Sequence, residues 1–155
     1  MIDSILHPKH INYASNLNDA NLKQKIETVF NQGALNFVGK FTSQNEFSAY
    51  DKWSVVTWYV PNFKRKAAYL TGTILKSEHG SLLKLNIKPN TLLSVVSLLS
   101  LVVGIFIIIA AGSNTRFLII GSFIALVGIL YYAIGIFSIK RLRSSFETAL
   151  DLQKV

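Results

Sequence analysis

The sequence predicts an α+β membrane protein: a small antiparallel β-sheet with one packed α-helix, then an antiparallel transmembrane helical hairpin and a short amphipathic C-terminal helix. Three observations predict it. Positions 89–115 hold 27 residues, and positions 117–139 another 23, without Asp, Glu, Lys, Arg or His; about 20 apolar residues suffice to cross a hydrocarbon core. The 155 residues are 50% hydrophobic and 15% charged, yet carry a net charge of +8, and within positions 89–139 the one charged residue is Arg116. The chain is therefore two materials, and outside the apolar block its charge density is close to the soluble norm of about 25%. Finally, the residues ahead of the block switch between a period of two and helical spacing, punctuated by turn signals. The division is a cytosolic domain over 1–90, a hairpin over 91–139 (helices 91–111 and 117–139), and a basic amphipathic cytosolic tail over 140–155.

The elements of the domain follow in order. Ile11 and Tyr13 alternate with polar neighbours, a strand over 9–14. Asn18 has the form of a helix N-cap, with Asp19 in the first turn and Leu17 and Leu22 at the bracketing apolar positions. Leu22, Ile26, Val29 and Phe30 then recur at helical spacing up to Gly33, predicting a helix over 19–32. Leu35, Phe37 and Phe41 return to alternation; Thr42-Ser43-Gln44-Asn45 is a turn; and Phe47, Ala49, Trp53 and Val55 form one face of the next strand, with strand character running through Trp58 and Val60 to Pro61. Ala68, Leu70, Gly72 and Ile74 mark a further strand, Ser77-Glu78-His79-Gly80 a hairpin loop, and Leu83, Leu85 and Ile87 a last strand that enters the first apolar helix almost without a linker. The predicted order is one strand, one helix, then five strands.

Pro89-Asn90-Thr91 opens the first apolar helix, with Asn90 or Thr91 as cap, and Gly112-Ser113-Asn114-Thr115 connects it to the second. Small residues mark where helices approach closely in lipid. Ser97, Gly104 and Ala111 recur every seven residues, as do Gly121, Gly128 and Gly135. Symmetry about Arg116 pairs Ser97 with Gly135, Gly104 with Gly128 and Ala111 with Gly121 along the helix–helix seam. Lys76, Lys84 and Lys88 precede the pair and Lys140, Arg141 and Arg143 follow it, while Arg116 alone marks the connector. The positive-inside rule places both termini in the cytoplasm of a multi-pass protein of the cell inner (plasma) membrane, and positions 1–20 lack the pattern of a signal peptide. After the second helix, Leu142, Phe146, Ala149 and Leu150 continue at helical spacing, opposite Arg143, Glu147 and Asp151.

For chemistry the sequence offers little. There is no Cys, and His7, His10 and His79 are scattered; no metal site, cofactor or catalytic group is expected. Glu147 and Asp151 come nearest to paired carboxylates, and an exposed helix face explains them. The apolar stretches lack the ionisable groups of transporters and proton relays. The cations gather at the membrane, so nucleic acid is not an expected partner. Aromatics beside cations suit a headgroup region, which makes Trp58, Tyr59, Phe63, Lys64, Arg65 and Lys66, with Lys88, Lys140, Arg141 and Arg143, the expected membrane-surface contacts.

Phe37-Val38-Gly39-Lys40, Phe47, Gly72-Thr73-Ile74, Gly80-Ser81 and Ile87-Lys88-Pro89 are the residues on which the chain resembles small uncharacterised bacterial membrane proteins, those with an N-terminal cytosolic α+β domain followed by a two-helix transmembrane hairpin. The resemblance covers most of the chain and implies no activity and no catalytic residues. The expected function is that of a non-enzymatic integral membrane protein whose membrane-apposed domain binds anionic lipid or a protein partner. The alternative is an oligomerising membrane effector or pore, gated by a ligand of the domain and built from homo-oligomers; an enzyme acting on lipids is a third reading.

Overall fold

The computed structural model describes residues 9–32, 35–54, 65–77 and 80–154. They form β1 (Lys9–Ser15), α1 (Asp19–Asn31), β2 (Phe37–Phe41), β3 (Glu46–Asp51), β4 (Ala68–Ser77), β5 (Gly80–Pro89), α2 (Thr91–Ala110), α3 (Thr115–Leu150) and β6 (Gln153–Lys154). The strands make one antiparallel sheet in the order β2-β3-β4-β5-β1-β6. The protein is thus α+β, with two helices, α2 and α3, long and apolar enough to cross a membrane.

The cap read at Asn18 forms: its side chain accepts from Asn21 N at 2.8 Å. Leu22, Ile26 and Val29 turn one face of α1 onto the sheet. Period two holds in the strands, so Ile11, Tyr13, Phe47, Ala49, Leu70, Ile74, Leu83, Leu85 and Ile87 are buried on that same face. Two glycines make room for rings within this layer. A Cβ on Gly72 would fall 2.1 Å from the Phe47 ring, and one on Gly39 the same distance from the Phe30 ring. Phe47 in turn stacks on Phe146, with centroids 5.6 Å apart.

Phe146 belongs to the long helix, and here the architecture departs from the sequence reading. The residues after 139 are no separate short helix: α3 runs unbroken from Thr115 to Leu150. Its last three turns carry Leu142, Phe146 and Leu150 into the core of the sheet domain. Two helices therefore cover the sheet, and the boundary expected at 139–140 falls inside one element. No Gly or Pro interrupts 136–150 to stop the helix. It ends at Asp151, in the left-handed conformation (φ 52°), which turns the chain so that Gln153 and Lys154 pair with Ala14 and Tyr13. That sixth strand was not expected. Between α1 and α2 the described residues hold four strands, where the sequence predicts five; the segment through Trp58 and Val60 lies outside the described residues. β3 also stops sooner than its alternation implied. Asp51 takes the next inward position, and Trp53, beyond the strand end, is exposed.

α2 and α3 pack side by side in opposite directions. Asn90 caps α2, accepting from Leu92 N at 2.8 Å, and Asn114 caps α3, accepting from Arg116 N at 3.1 Å. All six small residues of the two stripes are buried, but the register is one to two turns from the pairing set out above. Ser97 Oγ donates to the carbonyl of Gly128 at 2.8 Å, and a Cβ on Gly104 would meet Ala125 N at 2.6 Å and Gly121 O at 2.8 Å. Gly121 lies against Gly104 and Ile108, while Ala111 is the C-cap of α2 and not its facing partner. The cause is local. With Asn114 as cap, Thr115 and Arg116 are already helical, and Gly112 (φ 53°) makes the reversal. The symmetry centre therefore falls in the connector near Gly112 and Ser113 rather than at Arg116. Gly135, expected opposite Ser97, has nothing within 4 Å of an added Cβ.

Candidate functional site

The polar side chains gather where the sheet domain meets the apolar helices. Asp51 ends β3 on the inward, apolar face and is almost wholly buried. The partner that makes this tolerable is Arg141, two residues past the apolar stretch of α3, whose Nε and Nη2 donate to its carboxylate at 3.1 and 2.5 Å. Burying a carboxylate without such a partner costs several kcal/mol, on the order of 3–5 when one member of a buried pair is removed. Asp51 also accepts from Trp53 N at 3.0 Å. Nearly two turns further along α3, Tyr13 of β1 donates its hydroxyl to Glu147, which accepts from Arg143 Nε at 2.8 Å. At the end of the helix, Lys25 Nζ of α1 donates to Leu150 O at 2.7 Å, a cation on the negative end of the helix dipole.

A second cluster fastens the start of α2. Asn90 is buried; its Nδ2 donates to Lys66 O and its backbone N–H to Ala67 O, at 2.8 and 2.9 Å. The Lys66 ammonium donates to Lys52 O and Ser54 Oγ at 2.8 and 3.1 Å and lies 5.5 Å from the Tyr50 ring centroid. Tyr50, Tyr69 and Lys88 are cross-strand neighbours in one row of the open sheet face. Between the two clusters, Pro89, Leu93 and Ser94 face Tyr131, Tyr132 and Gly135 across a small cleft of about 40 Å³, which Ile136 and Ile139 complete.

These placements sort the expected surface contacts. Trp58, Tyr59, Phe63 and Lys64 lie outside the described residues. Lys66, Arg141 and Arg143 are engaged within the protein; Arg143 meets Glu147 at the i,i+4 spacing visible in the sequence, whereas Arg141 is 90 residues from Asp51, a pairing a single sequence cannot give. Lys88 and Lys140 are exposed at the junction, and Arg65 is half-buried there. Sequence reasoning missed Asp51 and Tyr13. The available signal for Asp51 was its parity with Phe47 and Ala49, which put a carboxylate on the apolar face. Glu147 and Asp151 do not act as a carboxylate pair; the first holds Tyr13 and Arg143, and the second forms the helix terminus.

Burial, and then the hydrogen bond to Glu147, push the Tyr13 phenol up to about 12, partly opposed by Arg143. The fold favours the neutral phenol, so its contribution is complete below the ordinary value near 10 and is lost as pH rises through about 12. Thermal unfolding in detergent is expected to show a steep loss of stability between these values, and Tyr13→Phe, less stable at pH 8, is expected to show a shallower one. For the ion pair, Arg141→Met is expected to cost about 3 kcal/mol, the low end of the range for a buried pair because the Arg141 side chain is 36% exposed, by leaving the Asp51 carboxylate buried without its partner. Adding Asp51→Leu is expected to restore most of that loss in the same measurement, whereas additive losses would show that the pair is not coupled. Comparison of this chain with protein-family models, curated proteins and solved structures finds no match, so the reading of the junction rests on its geometry.

Proposed function

We propose that this protein is an integral membrane protein whose α2–α3 hairpin spans the bilayer and whose sheet domain, held against the cytoplasmic surface, acts by binding anionic lipid or a protein partner rather than by catalysis. The observation that carries the reading is the unpartnered apolar surface of α2 and α3. Phe106 and Ile109 are 71% and 75% exposed, and Val102, Ile119, Phe123 and Phe137 continue the same surface. Soluble proteins rarely expose apolar patches beyond a few hundred Å². The 20 residues of α2 extend about 30 Å at about 1.5 Å each, the thickness of a hydrocarbon core. The apolar surface ends near Lys88, in β5 just ahead of α2, and at Lys140 on α3, the cation placement of a cytoplasmic interface. Support for a binding role comes from the polar groups. Asp51 and Glu147 are engaged in contacts that hold α3 to the sheet.

The chain has no Cys, so single-cysteine variants report topology cleanly. In intact spheroplasts, Ser113→Cys in the α2–α3 connector is expected to react with a membrane-impermeant maleimide. Ser144→Cys, exposed on the domain end of α3, is expected to react only after lysis. Equal labelling of the two, or recovery of the chain in the soluble fraction, would overturn the reading.

A further inference from the structure

We propose that the open face of the sheet, the one that α1 and α3 leave uncovered, is a docking surface for an acidic segment of a partner protein. The proposal rests on the binding reading above and deepens it, choosing protein over lipid and naming the face. Strand pairing sets Tyr50, Tyr69 and Lys88 in one row across this face and Ser48, Thr71 and Asn86 in the next. Thr73, Lys84 and Asn12 make a third row. Lys40 extends the second row and Glu46 the third. Among the described strand residues, the charged side chains on this face are therefore three exposed lysines, Lys40, Lys84 and Lys88, and one glutamate, Glu46. The Lys66 ammonium adds a further cation above Tyr50. A face of this sign repels a second copy of itself and complements an acidic partner.

Orientation and the remaining groups select a protein. α3 lies on the covered face, reaching from Asp51 at the end of β3 to Tyr13 of β1. A sheet layered on an upright helix stands upright with it, so the open face looks across the cytoplasm rather than at the bilayer. The row of Tyr50, Tyr69 and Lys88 is the one nearest the apolar helices, since Lys88 is two residues ahead of the α2 cap. At the opposite end, where β4 turns into β5, Leu75 pairs with Leu82 and Leu82 with Ala14. Leu75 is exposed there. An apolar anchor beside polar and charged groups is the make-up of a protein interface, and this one lies at the end remote from any headgroup. Single-stranded nucleic acid stacks its bases on free aromatic rings. Here Tyr50 is engaged by the Lys66 ammonium, and the Tyr69 hydroxyl accepts from Lys66 N at 2.9 Å.

The test uses the full chain in phosphatidylcholine nanodiscs and a fluorescein-labelled peptide in which glutamate and serine alternate around a central leucine, with binding read by anisotropy. The wild type is expected to bind it at least tenfold more tightly than the same peptide with glutamine for glutamate, and more tightly than an oligothymidylate of equal length. Lys84→Gln with Lys88→Gln changes two exposed side chains and is expected to weaken binding at least fivefold. Lys76→Gln with Lys140→Gln removes as many exposed cations away from this face and is expected to weaken it less than twofold. A fluorophore on Thr71→Cys, exposed in the middle row, is expected to change its emission when the glutamate peptide is added. It is expected to keep its emission when phosphatidylglycerol replaces phosphatidylcholine in the disc. Failure to bind the glutamate peptide, equal losses from the two lysine pairs, tighter binding of the oligothymidylate, or a response of the Thr71 label to phosphatidylglycerol would overturn the proposal. Fractionation separates the two levels of failure: a chain found in the soluble fraction defeats the membrane reading, whereas a membrane-bound chain that fails these measurements defeats this face alone.

Discussion

A single helix serves two surroundings, and the rest of the structure depends on how α3 manages that change. Its first six turns or so expose Phe, Leu and Ile to whatever surrounds the apolar pair, and its last three bury Leu142, Phe146 and Leu150 among the side chains of the sheet. Full burial of each of these three contributes about 1.5–3 kcal/mol. Together they exceed what the Asp51–Arg141 pair supplies, since such a pair largely offsets its own desolvation. The apolar contact therefore holds the helix to the domain, and the polar contacts fix its rotation and its axial position. Arg141 meets the end of β3, Glu147 meets β1, and Lys25 of α1 closes the last turn.

The other apolar helix is fastened by different means. Asn90 caps α2 and at the same time bonds the segment leading into β4. Both connections from the domain to the helix pair are thus rigid, one through a buried asparagine and one through an uninterrupted helix. A domain attached in this way cannot swing on a tether. Anything that changes the tilt or separation of α2 and α3 must be felt in the sheet, through Phe146 against Phe47 on one side and Asn90 against Lys66 and Ala67 on the other.

Much of this was legible in the sequence, for identifiable reasons. The α1 cap, the alternation of β4 and β5 and the two apolar stretches are local signals, written within a few residues of the structure they specify. The small-residue stripes were legible as a seam. Their register was not, because it turns on whether Thr115 and Arg116 are helical, and the Asn114 cap decides that. The docking of residues 142–150 was illegible for a deeper reason. Helical spacing of Leu142, Phe146 and Leu150 shows that one face is apolar but not what covers it, and a bilayer surface would require the same pattern. Asp51 and Arg141 are likewise unremarkable alone and acquire meaning only when β3 and α3 meet. A two-residue strand such as β6 is too short to show any period.

The account stands on α3 being continuous from the apolar pair into the sheet. A pair of spin labels at Ile129→Cys, exposed on the apolar part of α3, and Lys84→Cys, exposed on β5, measures that continuity directly. Pulsed dipolar distance measurement on the full chain in lipid nanodiscs is predicted to give one narrow distance distribution, the same as in detergent. A broad or two-peaked distribution would show that the helix breaks near residue 140 and that the domain moves independently of the pair, which would contradict the account.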